Sequence, residues 1–295
     1  MSNISFPNGI NWGVRYVTGG DFLTPDIKIN GSGLYRYSKN NIIDVKADLS
    51  STTQPTYMFA NSSVKFINNL QLPDITSGAY MFDGCSNLII APQISLGSGK
   101  SEFMFQNCNK LIYVPHFDLS QCSNTQSLFT GCTRLSNIPA TNFAASTSVN
   151  TMFSYCTLLD EIPDMDFSSL TNFGASAYNT WLYGASYIRS IGVLKCDSIT
   201  NITYVLGGSA NYRLTHLGGF RNLGKAKSVS GTDGAYFLAY APNLTRQSLI
   251  NVFNELYDRA SAGLSVLTLK LHANHRAILS DEDKAIATNK GWTLS

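Results

Sequence analysis

Four segments of the chain repeat one pattern of apolar positions: MFDGCSNLIIAP from Met81, MFQNCNKLIYVP from Met104, LFTGCTRLSNIP from Leu128 and MFSYCTLLDEIP from Met152. Their phenylalanines, Phe82, Phe105, Phe129 and Phe153, lie 23, 24 and 24 residues apart. In each unit a cysteine follows three residues after Phe (Cys85, Cys108, Cys132, Cys156) and a leucine three later (Leu88, Leu111, Leu135, Leu159). A proline closes the run at Pro92, Pro115, Pro139 and Pro163. Looser copies begin at Tyr57, Trp181, Val205 and Phe237, with Ala185 and Ala241 in the cysteine slot of two of them. That makes seven or eight units. A period of 20–29 residues is that of a leucine-rich horseshoe or a related solenoid. One unit cannot bury its apolar side alone, so stacking should turn each apolar slot into a ladder. The MFxxCxxL stretch has apolar residues at helical spacing and predicts a helix of roughly two turns. The short runs after each proline, such as HFDLS and DMDFS, predict strands or extended turns.

The two ends do not repeat. Residues 1–50 alternate apolar and polar positions between Asn-Gly and Gly-Gly punctuation, which predicts short strands and turns in an N-terminal cap or attachment element. Residues 51–243 hold the repeats and 244–295 a C-terminal cap. In that cap, LTRQSLINVFNELYDRA places Leu249, Val252, Phe253 and Leu256 on one helix face behind Thr245 as N-cap. A strand is expected over 265–273. A second helix should start at Ser280, with Asp283 completing a capping box, and end at Gly291 before a last strand. The expected fold is therefore an α/β solenoid with a non-repeating N-terminal region and a helix-strand C-terminal cap.

Charged residues are only 14% of the 295, so hydroxyls and amides must supply the polar surface. The net charge of +2 gives no footprint for a phosphate backbone, and nucleic acid is not an expected partner. The opening MSNISFPNGINWG has neither a basic nor an apolar leader region, and no 18-residue apolar run occurs. Neither classical secretion nor membrane insertion is expected. Four of the six cysteines share one repeat position and exchange there with alanine, which predicts small, buried, free thiols.

Chemistry is sparse. No GxSxG, HExxH or Walker pattern occurs, and no Cys/His set has metal-ligand spacing, so no cofactor and no metal are expected. His272 and His275 lack an acidic third ligand. Acidic residues recur at Asp118, Asp164 and Asp166, and Asp164 with Asp166 is the best candidate for a catalytic carboxylate pair. Outward-facing positions of the repeats, Tyr113, His116 and Tyr155, are candidates for a binding surface by placement.

The pattern MFxxCxxLxxxPxxDxS, from Met81-Phe82, Cys85, Leu88 and Pro92 to Pro163, resembles the BspA-like leucine-rich repeats of gut bacteria and their phages. The ending AIATNKGWTLS is similar to the caps of such proteins. The resemblance implies irregular leucine-rich repeats and a role in adhesion or host interaction, with no shared catalytic residues. With no signal peptide or anchor in sight, it implies a non-enzymatic virion tail or fibre component. Its partner would be a bacterial surface glycan or protein, or another virion protein, with homo-oligomers left open. The alternatives are a bacterial cell-surface adhesin that binds host protein or glycan, and a solenoid carbohydrate-active enzyme.

Overall fold

The computed structural model describes residues 55–67, 75–94, 96–174, 176, 178–203, 205–206, 213–229 and 238–295. It adds the strand backbones β1 (Ile4–Ser5), β2 (Asn11–Val14) and β3 (Asp44–Ala47). The last two form an antiparallel pair, β1 lies antiparallel on β2, and β3 runs parallel to β4 (Phe66–Ile67). The rest of the expected N-terminal element lies outside the described residues, as do most of the unit at Val205 and its neighbour's Phe237.

The Met-Phe-x-x-Cys segments are not helices. Tyr80, Phe103, Ser127 and Thr151 have φ between 53° and 58°, and the residue four later (Gly84, Asn107, Gly131, Tyr155) is also left-handed. A right-handed helix admits no such residue. The apolar spacing arises instead from overlapping turns. Asp83 N–H donates back to Tyr80 O (3.2 Å) and Cys85 N–H to Phe82 O (3.0 Å). The alternate N–H groups donate outward to the next unit: Tyr80 to Glu102 O (3.0 Å), Phe82 to Met104 O (2.9 Å) and Gly84 to Gln106 O (2.8 Å). Every second amide thus serves a turn and every other one a ladder, so no backbone donor here is stranded.

Stacking at ladder spacing sets like side chains on one another. Phe59, Phe82, Phe105, Phe129 and Phe153 are all buried, with neighbouring rings 5.2–5.7 Å apart and within 6° of parallel. Met81, Met104, Leu128 and Met152 form a second buried row, and Leu88, Leu111, Leu135 and Leu159 a third. All six cysteines are free and buried. Those of the repeats do more than fill space. The Cys108, Cys132 and Cys156 thiols donate to Phe82 O, Phe105 O and Phe129 O at 3.1–3.2 Å.

Beyond these turns the chain forms short strands: β5 (Ile75–Ser77) parallel to β6 (Leu96–Lys100), then β7 (Thr141–Asn142), β8 (Glu161–Ile162), β9 (Met165–Asp166), β10 (Ser190–Lys195) and β11 (His216–Arg221). The last five make a parallel sheet in the order β11-β10-β9-β7, with β8 also on β10. Helix α1 (Arg246–Glu255) covers its β11 edge. Ser248 Oγ accepts from Leu217 N–H (3.1 Å) and donates to Thr215 O (3.0 Å), as a neighbouring strand would. Strand β12 (Leu267–Leu269), α2 (Ala273–Ile278), α3 (Asp281–Thr288) and β13 (Trp292–Leu294) complete the chain.

These features correct the expected fold. Among the described residues there are three helices, all after residue 245, and a small, mostly parallel sheet of short strands. The fold is mixed α/β and not a curved leucine-rich-repeat solenoid, since among the described residues no repeat unit pairs a strand with a helix. The reason is local. Two left-handed residues, four positions apart in each unit, forbid the helix, and proline after each leucine keeps the strands short. The BspA-like resemblance, which rested on the leucine and cysteine spacing, falls with it.

The cap follows its local signals more closely. Thr245 accepts from Ser248 N–H, and Leu249, Val252, Phe253 and Leu256 are buried. Ser280 and Asp283 form the capping box of α3. The short α2, opened by His272, takes the place of the end of the expected strand over 265–273.

Candidate functional site

The exposed face of the parallel sheet carries a shallow groove of about 380 Å³. It is lined by His116, Ala140, Thr141, Asn142, Asp164, Met165, Asp166, Val193, Lys195 and Arg221, which come from five successive units. Parallel pairing aligns Asn142 with Asp166, Asp166 with Lys195, and Lys195 with Arg221. Three strand spacings make this cross-strand row roughly 14 Å long.

Each charged residue in the lining has a fixed partner. Asp164 Oδ1 accepts from Val193 N–H at 2.7 Å. Pro163 and Asp164 separate β8 from β9, and the Asp164 carboxylate fills the gap as the acceptor for β10. Gly192 is required beside it, because a Cβ there would come within 2.6 Å of the Asp164 nitrogen. Asp166 Oδ1 accepts from Ser168 N–H (2.9 Å) and from the Ser168 hydroxyl, and its Oδ2 accepts from Lys195 Nζ (3.2 Å). Burial pushes the Asp166 carboxyl up, but the Ser168 and Lys195 hydrogen bonds outweigh it and hold the group below the usual carboxylate range. The hydrogen bond and charge of Asp166 raise Lys195. Lys195 also lies 3.7 Å from Asp197, and Arg221 Nε donates to Glu255 Oε2 at 2.8 Å.

The acidic repeat positions have a common structural task. Asp118, Asn142 and Asp166 each accept a backbone N–H two residues on, from Ser120, Ala144 and Ser168, at 2.8–3.0 Å. These are Asx turns at one repeat position.

Of the residues singled out from sequence, the groove brings His116 together with Asp164 and Asp166. Tyr113 is 52% exposed, on the rung that bridges to Ile90, and is not in the lining. Tyr155 sits on the turn side of its unit, apart from these residues. Asn142, Lys195 and Arg221 were missed. Their signal was the repeat register, which carries Asp118 to Asn142 and Asp166, and through the pairing of β9, β10 and β11 to Lys195 and Arg221. Among the described residues no group of three or more His, Cys, Asp or Glu could hold a metal ion, and no helix is long and apolar enough to cross a membrane.

The chain matches no known family model, no curated protein and no solved structure with which it was compared.

Proposed function

We propose that this is a non-enzymatic binding protein whose sheet groove engages a polar, elongated ligand: a glycan or protein of the bacterial surface. The observation behind this reading is the groove itself. Asn142, the Asp166 carboxylate and then the Lys195 and Arg221 cations follow one another along it, the charged groups each held by a partner within the protein, and such preorganisation lowers the entropic cost of binding. A general acid needs a carboxyl raised toward neutral pH, and Asp166 is shifted the opposite way. Asp164 accepts a strand N–H rather than facing a proton donor of its own.

The test is labelling of intact bacterial cells by the fluorescently tagged protein. Wild type should label cells saturably, and a Lys195→Ala/Arg221→Ala variant with unchanged circular dichroism should bind about tenfold more weakly, one decade of affinity. Equal binding by the variant would remove the groove from the interaction. The setting, a virion tail or fibre against a bacterial cell surface, is tested separately. Immunogold labelling of particles would place gold on a tail or fibre if the setting is right, and on bacterial cells alone if the protein is an adhesin.

A further inference from the structure

One column of the repeat turns is aromatic at its start. Tyr57, Tyr80, Phe103, Ser127 and Thr151 hold the same place in successive units, and all are left-handed, with φ between 53° and 59°. Bulky residues rarely adopt this backbone, and it persists only where neighbours hold it.

Stacking holds the aromatic members. Tyr57 and Tyr80 lie face to face, with ring centroids 4.5 Å apart and planes 16° from parallel. Phe103 covers the other face of Tyr80 at 4.5 Å and 9°. The backbone sets this register, since Tyr57 N–H donates to Ala79 O (3.2 Å) and Tyr80 N–H to Glu102 O (3.0 Å). The Tyr57 and Tyr80 phenols share a hydrogen bond, so their oxygens lie on one side of the stack. Both side chains are half-buried, which leaves part of each ring open to a small solute. Two other tyrosine contacts are edge-on: Tyr155 meets Tyr183 at 5.5 Å and 88°, and Tyr178 meets Tyr183 at 5.6 Å and 76°. Joining two phenols requires the carbons ortho to both oxygens to meet. Parallel rings with adjacent oxygens bring those carbons together, whereas perpendicular rings turn one of them away.

We infer that Tyr57 and Tyr80 form an oxidative cross-linking site, where an oxidant of the peroxide class joins the two rings as one dityrosine. Each phenol gives up an electron and its O–H proton and becomes a phenoxyl radical. The two radicals pair in one carbon–carbon bond between positions ortho to oxygen. The hydrogen on each of those carbons then moves to its oxygen and restores the phenol. Two electrons pass to the peroxide, whose O–O bond breaks, and with hydrogen peroxide the two released protons complete two waters. Phe103 has no phenol, so the link stops at two units. It closes a loop across one repeat and restricts the unfolded chain as a disulfide does. The inference is independent of the groove and its ligand.

The experiment is brief illumination of the full-length protein with persulfate and a ruthenium tris-bipyridine photosensitiser, then tryptic mapping of the monomer band by mass spectrometry. Trypsin separates the partners, because residues 47–65 hold Tyr57 as their one tyrosine and residues 66–100 hold Tyr80 as theirs. These two peptides should appear joined, at a mass two hydrogens below their sum. Tyr80→Phe keeps an aromatic ring in the stack, as Phe103 does, and should abolish the product. Phe103→Tyr should let Tyr80 link to position 103 as well. Tyr155, Tyr178, Tyr183 and Tyr187 share one peptide, residues 135–189, which should lose two hydrogens far less often. No joined peptide in wild type, a joined peptide that survives Tyr80→Phe, or an equal yield within residues 135–189 would overturn the inference.

Discussion

At the scale of single residues, stacking makes each position answerable to its neighbours in the adjoining units. Gly131 has φ +75°, and a Cβ there would come within 2.7 Å of Asn107 Oδ1. Gly131→Ala should cost about 1–2 kcal/mol, the usual penalty of a side chain in the left-handed region. Because part of the conflict is with Asn107, urea unfolding should show a smaller loss in an Asn107→Gly background. The cysteines carry a second expectation. Burial pushes the Cys85 and Cys156 thiols up to about 12 and Cys122 to about 11. The native protein should therefore not react with an aromatic disulfide reagent at pH 8, and all six thiols should titrate in denaturant. Fast reaction of any native thiol would contradict the packed ladder. Cysteine–alanine exchange showed in the sequence that the slot is small and buried. It did not show the thiol-to-carbonyl hydrogen bond, because that acceptor belongs to the preceding unit.

At the scale of elements, the C-terminal cap is held by a few polar anchors. Lys290 Nζ donates to Phe253 O and Leu256 O, each at 3.1 Å, and so caps the last turn of α1. Lys290→Met should lower stability by about 1 kcal/mol, the worth of a cation at a helix C-terminus, read as a fall in the thermal midpoint. Arg246 and Asp283 join the starts of α1 and α3 through two hydrogen bonds of 2.8 Å. His275 is fully buried, with Nε2 against Ala241 O (2.9 Å) and Nδ1 accepting from His272 N–H (3.3 Å). Burial lowers its pKa, opposed by the Ala241 carbonyl and aided by His272 and Arg276. The folded protein thus favours the neutral ring, while the unfolded chain takes up a proton near pH 6.5. This contribution is complete above about pH 6.5 and is lost as pH falls through the lowered folded value. Stability measured from pH 7 to 5 should decline, and His275→Gln should flatten that decline. A wild-type profile without slope would refute this account of the buried ring.

At the scale of the whole molecule, the repeats and the cap meet through α1, whose Ser248 continues the hydrogen bonding of β11. The same packing places Glu255 against Arg221 at one end of the groove. Asp166 is held low and Lys195 high, so both keep their charges across neutral pH. Binding through the groove should therefore not vary between about pH 5.5 and 9 on their account, and a loss of cell labelling within that window would count against binding through this pair. What the sequence by itself determined is local or periodic: the unit length, the buried Phe, Leu and Cys slots, the Thr245 and Ser280 caps and the apolar face of α1. Each rests on a side chain's solubility or on bonds within four residues. The course of the backbone was decided only in the tertiary structure. The spacing of Phe82, Cys85 and Leu88 suits a helix and a run of turns equally, and the choice falls to the amides of Tyr80, Phe82 and Gly84, which find acceptors in the next unit. The groove is tertiary for the same reason. Its carboxylates and cations lie 29 residues or more apart, and stacking alone brings Asp166, Lys195 and Arg221 onto one row.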